Sequence, residues 1–242
     1  MTYDSLAQVY DLLTEDFDYR LWADKYTELL LSITDTLCEI CDAGCGTGSL
    51  LTELSRRGLK VIGIDISEGM LCEAQKKAME AGIVPCLLRQ DIREMKLAHM
   101  VDAVICACDG VNYLNTDKGA AAFFARAFDA IRPGGAFAFD FSSGKKLRLL
   151  AETGLFAEDR DDTAYIMFCE REDKTVSMDL SVFLKRDSGL YERFEESHRQ
   201  RIWEQSERAT LLEQAGFENI SIQELDIKGL GGDRIFVACS KP

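Results

Sequence analysis

The sequence predicts an α/β fold built on a mostly parallel β-sheet with helices on both faces. Between residues 37 and 141, short apolar segments typical of buried strands alternate five times with segments of helical periodicity. Parallel strands joined in this way require right-handed crossovers through the helices. After residue 142, apolar and polar residues alternate instead, which indicates antiparallel hairpins inserted before a final helix.

The length and charge of the chain limit the number of domains and the kinds of partner to be expected. A chain of 242 residues suits one α/β domain, or one domain carrying an insertion, better than two full domains. The formal net charge of −14 disfavours nucleic acid and anionic membranes as partners. Local basic segments at residues 145–148 and 199–201 still allow RNA as a substrate. The polar N-terminus and the lack of a stretch of about 20 apolar residues argue against export and against a membrane-spanning helix.

The nine cysteines indicate neither a disulfide scaffold nor a metal site. Five of them lie inside apolar, strand-like segments: Cys38, Cys41, Cys106, Cys108 and Cys239. There they serve as small hydrophobic residues, which is typical of a reducing compartment. Cys38 and Cys41 form one CxxC pair, but no second pair has zinc-ribbon spacing, and the only histidines, His99 and His198, are far apart. We therefore expect no metal and a cytoplasmic protein.

Residues 1–32 predict a helical cap over the sheet. The segment combines a helical stripe of leucine and valine with six aromatic residues in an acidic setting. These aromatic residues are either ordinary core or a lid whose rings enclose a cationic ligand by cation–π attraction.

A glycine-rich turn is the feature around which the chain is organised. Residues 37–41 predict a buried strand, and the octapeptide DAGCGTGS, from Asp42 to Ser49, leads from it into a helix. Gly44, Gly46 and Gly48 lack a Cβ atom, so the turn can bend sharply, adopt positive φ and present bare N–H groups to a ligand. This chemistry predicts a cofactor site.

The spacing of the glycines indicates which cofactor. In the dinucleotide fingerprint the third glycine follows the second by three residues, whereas here it follows by two. The phosphate-binding loop is also excluded, because no lysine follows Gly48. A nucleoside without a phosphate chain fits better. At this point DAGCGTG resembles the first motif of the class I S-adenosylmethionine-dependent methyltransferases, which implies S-adenosylmethionine as cofactor and S-adenosylhomocysteine as product.

The second strand brings an acid to the same edge of the sheet. Residues 60–65 (KVIGID) predict a strand that ends in Asp65, 21 positions after Gly44, where a βαβ nucleotide fold places a carboxylate for both ribose hydroxyls. Ser67 is the expected N-cap of a helix over residues 68–81. We take Ile66 and Met70 as further cofactor contacts, although Met70 is equally suited to the core.

Two further loops carry the remaining site candidates. A third strand over residues 84–89 leads to Asp91 and Ile92. The resemblance implies that they bind the adenine amine and ring, although Asp91 also fits a plain surface acid.

A fourth strand, residues 101–108, is apolar throughout, as in the middle of a parallel sheet. The resemblance implies that the Cys108 carbonyl meets the cofactor. It also implies that the side chains of the following loop face the methyl acceptor: Asp109, Asn112 and Tyr113.

The last third of the chain completes the prediction. A helix is predicted over residues 117–131, stopped by Pro133 and the two glycines after it, and a strand over residues 136–141. The string IRPGGAFAFD at residues 131–140 is frequent in this family. Predicted antiparallel strands at residues 165–171, 175–185 and 190–201 either wall a substrate cleft or form a dimer contact. Candidates for facing that cleft, or for a solvated strand face, are His198, Arg199, Gln200, Arg201 and Trp203. A helix over residues 204–215 and strands over 220–225 and 234–240, with Gly229, Gly231 and Gly232 in their turn, resemble the end of the class I fold.

Together these elements predict one Rossmann-like methyltransferase domain with a mostly parallel seven-stranded sheet. It comprises a helical cap (1–32), a cofactor-binding core (33–141), an antiparallel β insertion (142–203) and a C-terminal helix with a closing hairpin (204–242). The cap resembles that of small-molecule methyltransferases of bacterial type, so Tyr10, Tyr19 and Trp22 are cofactor candidates by resemblance.

Methyl transfer to a small molecule is the expected function, and the insertion is a candidate surface for a homodimer. The family's Asn/Asp-Pro-Pro-Tyr motif for nucleobase amines is missing, which disfavours DNA. No side chain is assigned as the general base. Two alternatives share the glycine turn and Asp65: a nicotinamide-dependent oxidoreductase and a non-catalytic S-adenosylmethionine-binding module.

Overall fold

The computed structural model describes residues 7–225 and 233–242. The first six residues of the predicted cap and the predicted turn with Gly229, Gly231 and Gly232 lie outside this description. The helices are α1 (Ala7–Leu13), α2 (Tyr19–Leu31), α3 (Ser49–Arg56), α4 (Glu68–Glu80), α5 (Asp117–Ala130), α6 (Gly144–Thr153) and α7 (Gln205–Ala215), and 3₁₀ turns span Ile92–Glu94 and Gly110–Tyr113. The strands are β1 (Glu39–Ala43), β2 (Lys60–Asp65), β3 (Cys86–Arg89), β4 (Val101–Cys106), β5 (Ile131–Ser142), β6 (Leu155–Arg160), β7 (Thr163–Glu172), β8 (Thr175–Lys185), β9 (Tyr191–Arg201), β10 (Glu218–Leu225) and β11 (Arg234–Ser240).

The central sheet has seven strands in the order β10-β11-β5-β4-β1-β2-β3, which confirms the predicted class. The pairs β5–β4, β4–β1, β1–β2 and β2–β3 are parallel, and β11 is antiparallel to both β5 and β10. Strand order reverses between β1 and its neighbour β4. In open α/β sheets this reversal opens a crevice beyond the carboxyl ends of the strands.

Helices cover both faces of the central sheet because its strands are apolar on both sides. Along β4, Ala103 and Ile105 pack in the core that contains α2 and α3, while Val104 and Cys106 pack in the core that contains α5 and α7. A continuous apolar run is what a strand buried on both faces requires.

The insertion forms a separate antiparallel sheet in the order β6-β7-β8-β9. Its inner face packs against two helices. Val176 and Met178 form a cluster with Leu147 of α6, and Val182 packs against Val9 of α1. The predicted insertion is therefore joined to the N-terminal cap, a relationship that no local pattern in the sequence indicates.

Two elements of this region were not predicted, α6 and β6. The helix α6 begins where Ser143 accepts a hydrogen bond from the Lys146 amide and ends at Gly154, which has a φ of 75°. Only Leu147 of this helix is buried, so its apolar stripe is weak in the sequence. The strand β6 exists because it pairs with β7 along its whole length. Both elements depend on tertiary partners.

Strand boundaries differ from prediction where tertiary contacts decide them. The fourth strand ends at Cys106 because Cys108 and Asp109 have φ values of 55° and 71°, which break the ladder. The third strand begins at Cys86, since Val84 is 95% exposed and lies before the pairing with β2. The fifth strand begins at Ile131, where it pairs with the first residue of β4.

No helix in residues 7–225 and 233–242 is both long and apolar enough to span a membrane.

Candidate active site

A cavity of about 640 Å³ lies beyond the carboxyl ends of β1 to β4. It is lined by the glycine turn, by the loops after β2, β3 and β4, by aromatic residues of the cap and by two residues of β9. The structure brings into this one cavity all the predicted cofactor residues except Trp22 and Gly48: Tyr10, Tyr19, Asp42, Gly44, Gly46, Asp65, Ile66, Met70, Asp91, Ile92 and Cys108. These residues span almost a hundred positions in the sequence, and the sheet topology together with the packing of the cap makes them neighbours.

The glycine turn presents backbone to the cavity. Gly44 and Gly46 have φ values of 86° and 53°, and a Cβ atom built on either would meet no protein atom within 4 Å. That space belongs to the cavity, so the turn lets a ligand lie against bare peptide. Gly48 has another role. A Cβ atom there would lie 2.8 Å from the Cβ of Ala74, so Gly48 permits close packing of the turn against α4.

Asp42 is a buried carboxylate at the end of β1. Its residue exposure is 1%, and within residues 7–225 and 233–242 neither carboxylate oxygen has a hydrogen-bond partner. Burial, together with the nearby charge of Asp65, raises the pKa of Asp42 to about 7. A buried acid without donors is unfavourable unless a ligand supplies them. Its position indicates a cationic or hydrogen-bond-donating ligand.

Asp65 is held in a fixed orientation at the end of β2. Its Oδ2 accepts a hydrogen bond of 2.9 Å from the Gly46 amide, and its Oδ1 accepts one of 2.9 Å from the Ser67 amide. Each carboxylate oxygen can accept a second hydrogen bond, so this side chain suits a vicinal diol. Beside it, Ile66 is 46% exposed and Met70 is buried, and both line the cavity.

Asp91 and Ile92 lie at the far end of the cavity. The Asp91 carboxylate caps its own 3₁₀ turn by accepting from the Arg93 amide at 2.9 Å, and it also forms an ion pair with the Arg93 guanidinium. The hydrogen bonds from Arg93 lower the pKa of Asp91, so it is ionised at neutral pH. Sequence reasoning missed Arg93 as a cavity residue, although it is only two positions away.

The cap is fastened directly to the glycine turn. Asp11 of α1 accepts a hydrogen bond of 2.7 Å from the Thr47 hydroxyl and pairs with Lys77 of α4 at 2.6 Å. Lys77 also donates to the hydroxyls of Thr47 and Ser49, at 3.1 and 2.5 Å. No local pattern in the sequence indicates this group, because its members are far apart in the chain. The contacts hold Tyr10, the neighbour of Asp11 in α1, at the cavity, and Tyr19 at the start of α2 also lines it.

Trp22, the third aromatic candidate of the cap, lies in the core. It is fully buried and stacks on Tyr26, with ring centroids 6.4 Å apart, and the Arg234 guanidinium lies 4.8 Å from the centroid of its ring. Among the residues that the structure describes, Trp22 is not part of the cavity lining. The spacing of the aromatic residues in the sequence does not show which of them pack against the sheet and which line the cavity.

A second cavity of about 190 Å³ adjoins the first. The two share Tyr10, Cys108 and Tyr113, and the second is completed by residues that include His198 and Gln200 of β9. Tyr113 and His198 are in edge-to-face contact at 6.0 Å. Burial lowers the pKa of His198, so the imidazole is neutral at neutral pH. This places two acceptor-side candidates, Tyr113 and His198, around one small chamber.

The other two acceptor-side candidates hold the loop after β4 in place. Asp109 borders the small chamber, but its carboxylate forms an ion pair with Arg234 at 2.9 Å and accepts from the Ser142 amide at 2.5 Å. Asn112 is fully buried and donates to the Arg201 carbonyl at 2.9 Å.

The candidates on β9 and just after it also divide into residues that line a cavity and residues that are buried in contacts with the site loops. Arg199 lines the first cavity, and Gln200 lines the second. Arg201 and Trp203 are buried instead, and the Trp203 indole donates to the Val111 carbonyl at 3.2 Å. The end of β9 thus anchors the 3₁₀ turn of the site.

Comparison with known proteins identifies the family. Residues 40–135 match the family model described as a methyltransferase domain. A putative methyltransferase of Geobacillus sp. (strain WCH70) is 31% identical over 225 residues, covering 92% of this chain and 91% of the relative. The crystal structure of an S-adenosylmethionine-dependent methyltransferase from Clostridium acetobutylicum ATCC 824 superposes with a TM-score of 0.87 at 28% identity, covering 99% and 98% of the two chains.

A more distant relative matches over about half its length. It is the dTDP-3-amino-3,4,6-trideoxy-alpha-D-glucopyranose N,N-dimethyltransferase of Streptomyces venezuelae, 31% identical over 131 residues, which are 53% of this chain and 54% of the relative. These comparisons favour the methyltransferase over the nicotinamide-dependent oxidoreductase and the non-catalytic module. The glycine turn, its acidic neighbours and the near full-length relative agree, and the chain belongs to the class I S-adenosylmethionine-dependent methyltransferases.

Proposed function

We propose that this enzyme transfers the methyl group of S-adenosylmethionine to a nucleophilic nitrogen or oxygen of a small molecule. The observation that carries the proposal is the pair of adjoining cavities at the carboxyl edge of the sheet. The larger has the chemistry of a nucleoside site, and the smaller opens from it past Tyr10, Cys108 and Tyr113.

The residues of the larger cavity fit the cofactor. The buried, unpartnered carboxylate of Asp42 suits a cationic amino group, and the glycine turn leaves room for the ligand. Asp65 suits the ribose hydroxyls. Ile66, Met70 and Ile92 supply apolar surface for the adenine, with Asp91 nearby as an acceptor for its amine. When bound, the cofactor supplies an already activated methyl group on its sulfonium.

The protein has to orient the acceptor and exclude water, because the methyl group needs no further activation. The small chamber can do this between the cap and β9. Its volume suits a compact acceptor or one reactive end of a larger molecule. His198 is neutral there, so it can receive the proton that an amine or hydroxyl acceptor releases. The name of the Streptomyces venezuelae relative states methylation of an amino sugar nitrogen, which supports a small-molecule acceptor.

The cellular compartment and the oligomeric state of the protein remain proposals. All nine cysteines are free thiols, and five of them are buried, which supports a reducing compartment such as the cytoplasm. The inner face of the insertion sheet is covered by α1 and α6, so a homodimer contact through this sheet would use its outer face. Ile166 and Phe168 are exposed there, and light scattering after size exclusion would measure the mass.

Binding and turnover test the proposed function in two steps. Calorimetry should show one site per chain for S-adenosylhomocysteine, and no affinity for either form of the cofactor would refute the proposal. Incubation with S-adenosylmethionine and metabolite pools should then yield S-adenosylhomocysteine together with a product heavier by one methylene. The variant Asp65→Ala should abolish both.

A further inference from the structure

We propose that Arg234, acting through Asp109 and Asp140, is a positioning residue that holds the turn at Cys108 and Asp109 in its ligand-binding shape. The proposal rests on the proposed function only in using S-adenosylhomocysteine as a probe. Arg234 is the first residue of β11, far from every cofactor motif in the sequence. Its connection to the site exists only in the folded protein.

The turn at the end of β4 has an unfavourable backbone. Cys108 and Asp109 are successive residues with side chains, and both have left-handed φ values, 55° and 71°. For such residues this conformation is disfavoured sterically, and it persists where surrounding contacts enforce it. Cys108 borders both cavities, so the shape of this turn sets the junction between the cofactor site and the acceptor chamber.

Two carboxylates, one of them fully buried, supply the enforcing contacts. Asp140 of β5 accepts a hydrogen bond of 3.1 Å from the Cys108 amide. Asp109 accepts from the Ser142 amide at 2.5 Å, which ties the turn to the end of β5. The Tyr26 hydroxyl donates to the same oxygen of Asp140 at 2.6 Å and lies 3.3 Å from the Cys106 carbonyl.

Arg234 binds both carboxylates at once. Its two terminal nitrogens each donate to one oxygen of Asp109 at 2.9 Å, and one of them also donates to Asp140 at 2.7 Å. The side chain is 1% exposed and lies against the ring of Trp22. A planar guanidinium can form this bidentate pair and still reach a third oxygen, whereas a lysine ammonium acts as a point charge.

Charge makes this arrangement necessary. Asp140 is fully buried, and the Asp109 side chain beside it is 18% exposed. Among the described residues, Arg234 is the cation that bonds to both, and Lys146 is also close enough to interact with both carboxylates electrostatically. Without the guanidinium, the two carboxylates would repel each other or take up a proton. Either change alters the acceptors that fix the Cys108 amide and the Asp109 side chain. The turn should then relax toward an ordinary backbone and deform the cavity junction.

The test compares two buried arginines. Arg208 is also 1% exposed and stacks on Phe141 at 4.0 Å, and none of its described contacts is with the turn. Arg234→Met, Arg234→Lys and the control Arg208→Met are compared at a temperature where circular dichroism shows each to be folded. Calorimetry with S-adenosylhomocysteine measures affinity, and hydrogen–deuterium exchange of residues 107–113 measures the turn directly.

We expect Arg234→Met to weaken binding by about tenfold or more and to speed exchange in residues 107–113, with Arg234→Lys restoring part of both. A relaxed turn has to be reordered when the ligand binds, and a reordering cost of about 1.4 kcal/mol corresponds to a tenfold loss of affinity. Arg208→Met should change binding by less than about twofold, even where it lowers the unfolding temperature. Equal affinity and equal exchange in Arg234→Met and Arg208→Met would overturn the proposal.

Two further outcomes remain decisive. If Arg234→Met does not fold, Tyr26→Phe and Asp109→Asn provide the same comparison, and unchanged exchange of residues 107–113 in both would overturn the proposal. If the wild-type chain binds no S-adenosylhomocysteine, the proposed function fails, while faster exchange in Arg234→Met alone still supports the positioning role.

Discussion

Asp11 and Thr47, 36 residues apart in the chain, are joined by a hydrogen bond of 2.7 Å that fastens the cap helix to the glycine turn. Lys77 reinforces it by pairing with Asp11 at 2.6 Å and donating to Thr47 at 3.1 Å. Through this contact, the helix that carries Tyr10 is coupled to the glycine turn, and both line the same cavity.

Removing this fastening should loosen the cap. We expect Asp11→Ala to raise the dissociation rate of S-adenosylhomocysteine about tenfold, because a hydrogen bond and a partly buried ion pair are lost together. Stopped-flow fluorescence measures the rate, and proteolysis within residues 7–18 reports opening of the cap. The matched control is Asp24→Ala, which breaks a surface pair with Arg57 of 2.6 Å outside the cavity. An unchanged dissociation rate in Asp11→Ala would exclude a role for the fastening.

The glycine turn gives a second prediction. Gly46→Val should abolish binding of S-adenosylhomocysteine, because the side chain would occupy cavity space and strain a residue with a φ of 53°. Gly58→Val is the control, since Gly58 has a φ of 86° with no atom within 4 Å of a Cβ and lies outside the cavity. Both variants carry backbone strain, but only Gly46→Val should lose binding in calorimetry. Comparable losses in the two variants would show that the effect is one of stability.

The third prediction concerns the pH dependence set by Asp42. Its pKa is about 7 in the folded chain and about 4 when unfolded, so between these values the folded state keeps a proton that the unfolded state has released. The contribution of Asp42 to stability therefore falls as pH rises through this window, by up to about 4 kcal/mol. Asp42→Asn removes this loss. Relative to the wild type, the free energy of unfolding of the variant should rise as pH increases from about 4 to about 7. Above about pH 7 the difference between the two proteins should stay constant.

Denaturant titrations at several pH values measure this difference, and calorimetry at about pH 8 should show weaker cofactor binding in the same variant. A site that is more stable and less active after neutralisation is expected where a buried charge serves a ligand. A stability difference between the two proteins that does not vary with pH would contradict the assignment.

The fourth prediction separates binding from transfer. His198→Gln should leave the affinity for S-adenosylhomocysteine unchanged and lower the turnover of the acceptor found in the metabolite screen by about tenfold or more. The control is His99→Gln, because His99 is exposed and pairs with Glu39 at 2.8 Å at the opposite end of the sheet. Wild-type turnover in His198→Gln would mean that the acceptor releases its proton elsewhere.

The sequence was most informative where local geometry and chemistry coincide. The strands 60–65 and 234–240 and the helix that begins after Ser67 were predicted at or within one residue of their observed bounds. The spacing of Gly44 and Gly46 and the acids at the ends of β1 and β2 predicted residues that the fold brings into one cavity, because each lies at a strand end that the parallel topology must bring together. α6 and β6 were missed because their signals are weak without a partner.

What the sequence determined by itself was the family, the alternation of strands and helices, and the edge of the sheet where the cavity lies, since periodicity and glycine spacing are local properties of the chain. The tertiary structure decided which polar residues face the cavity and which hold its walls together. Trp22, Asp109 and Asn112 resemble ligand contacts in the sequence, yet Arg234, Ser142 and Arg201 engage them in the fold. Such partners are supplied by strands that are distant in sequence, and only packing shows whether a polar side chain is already engaged.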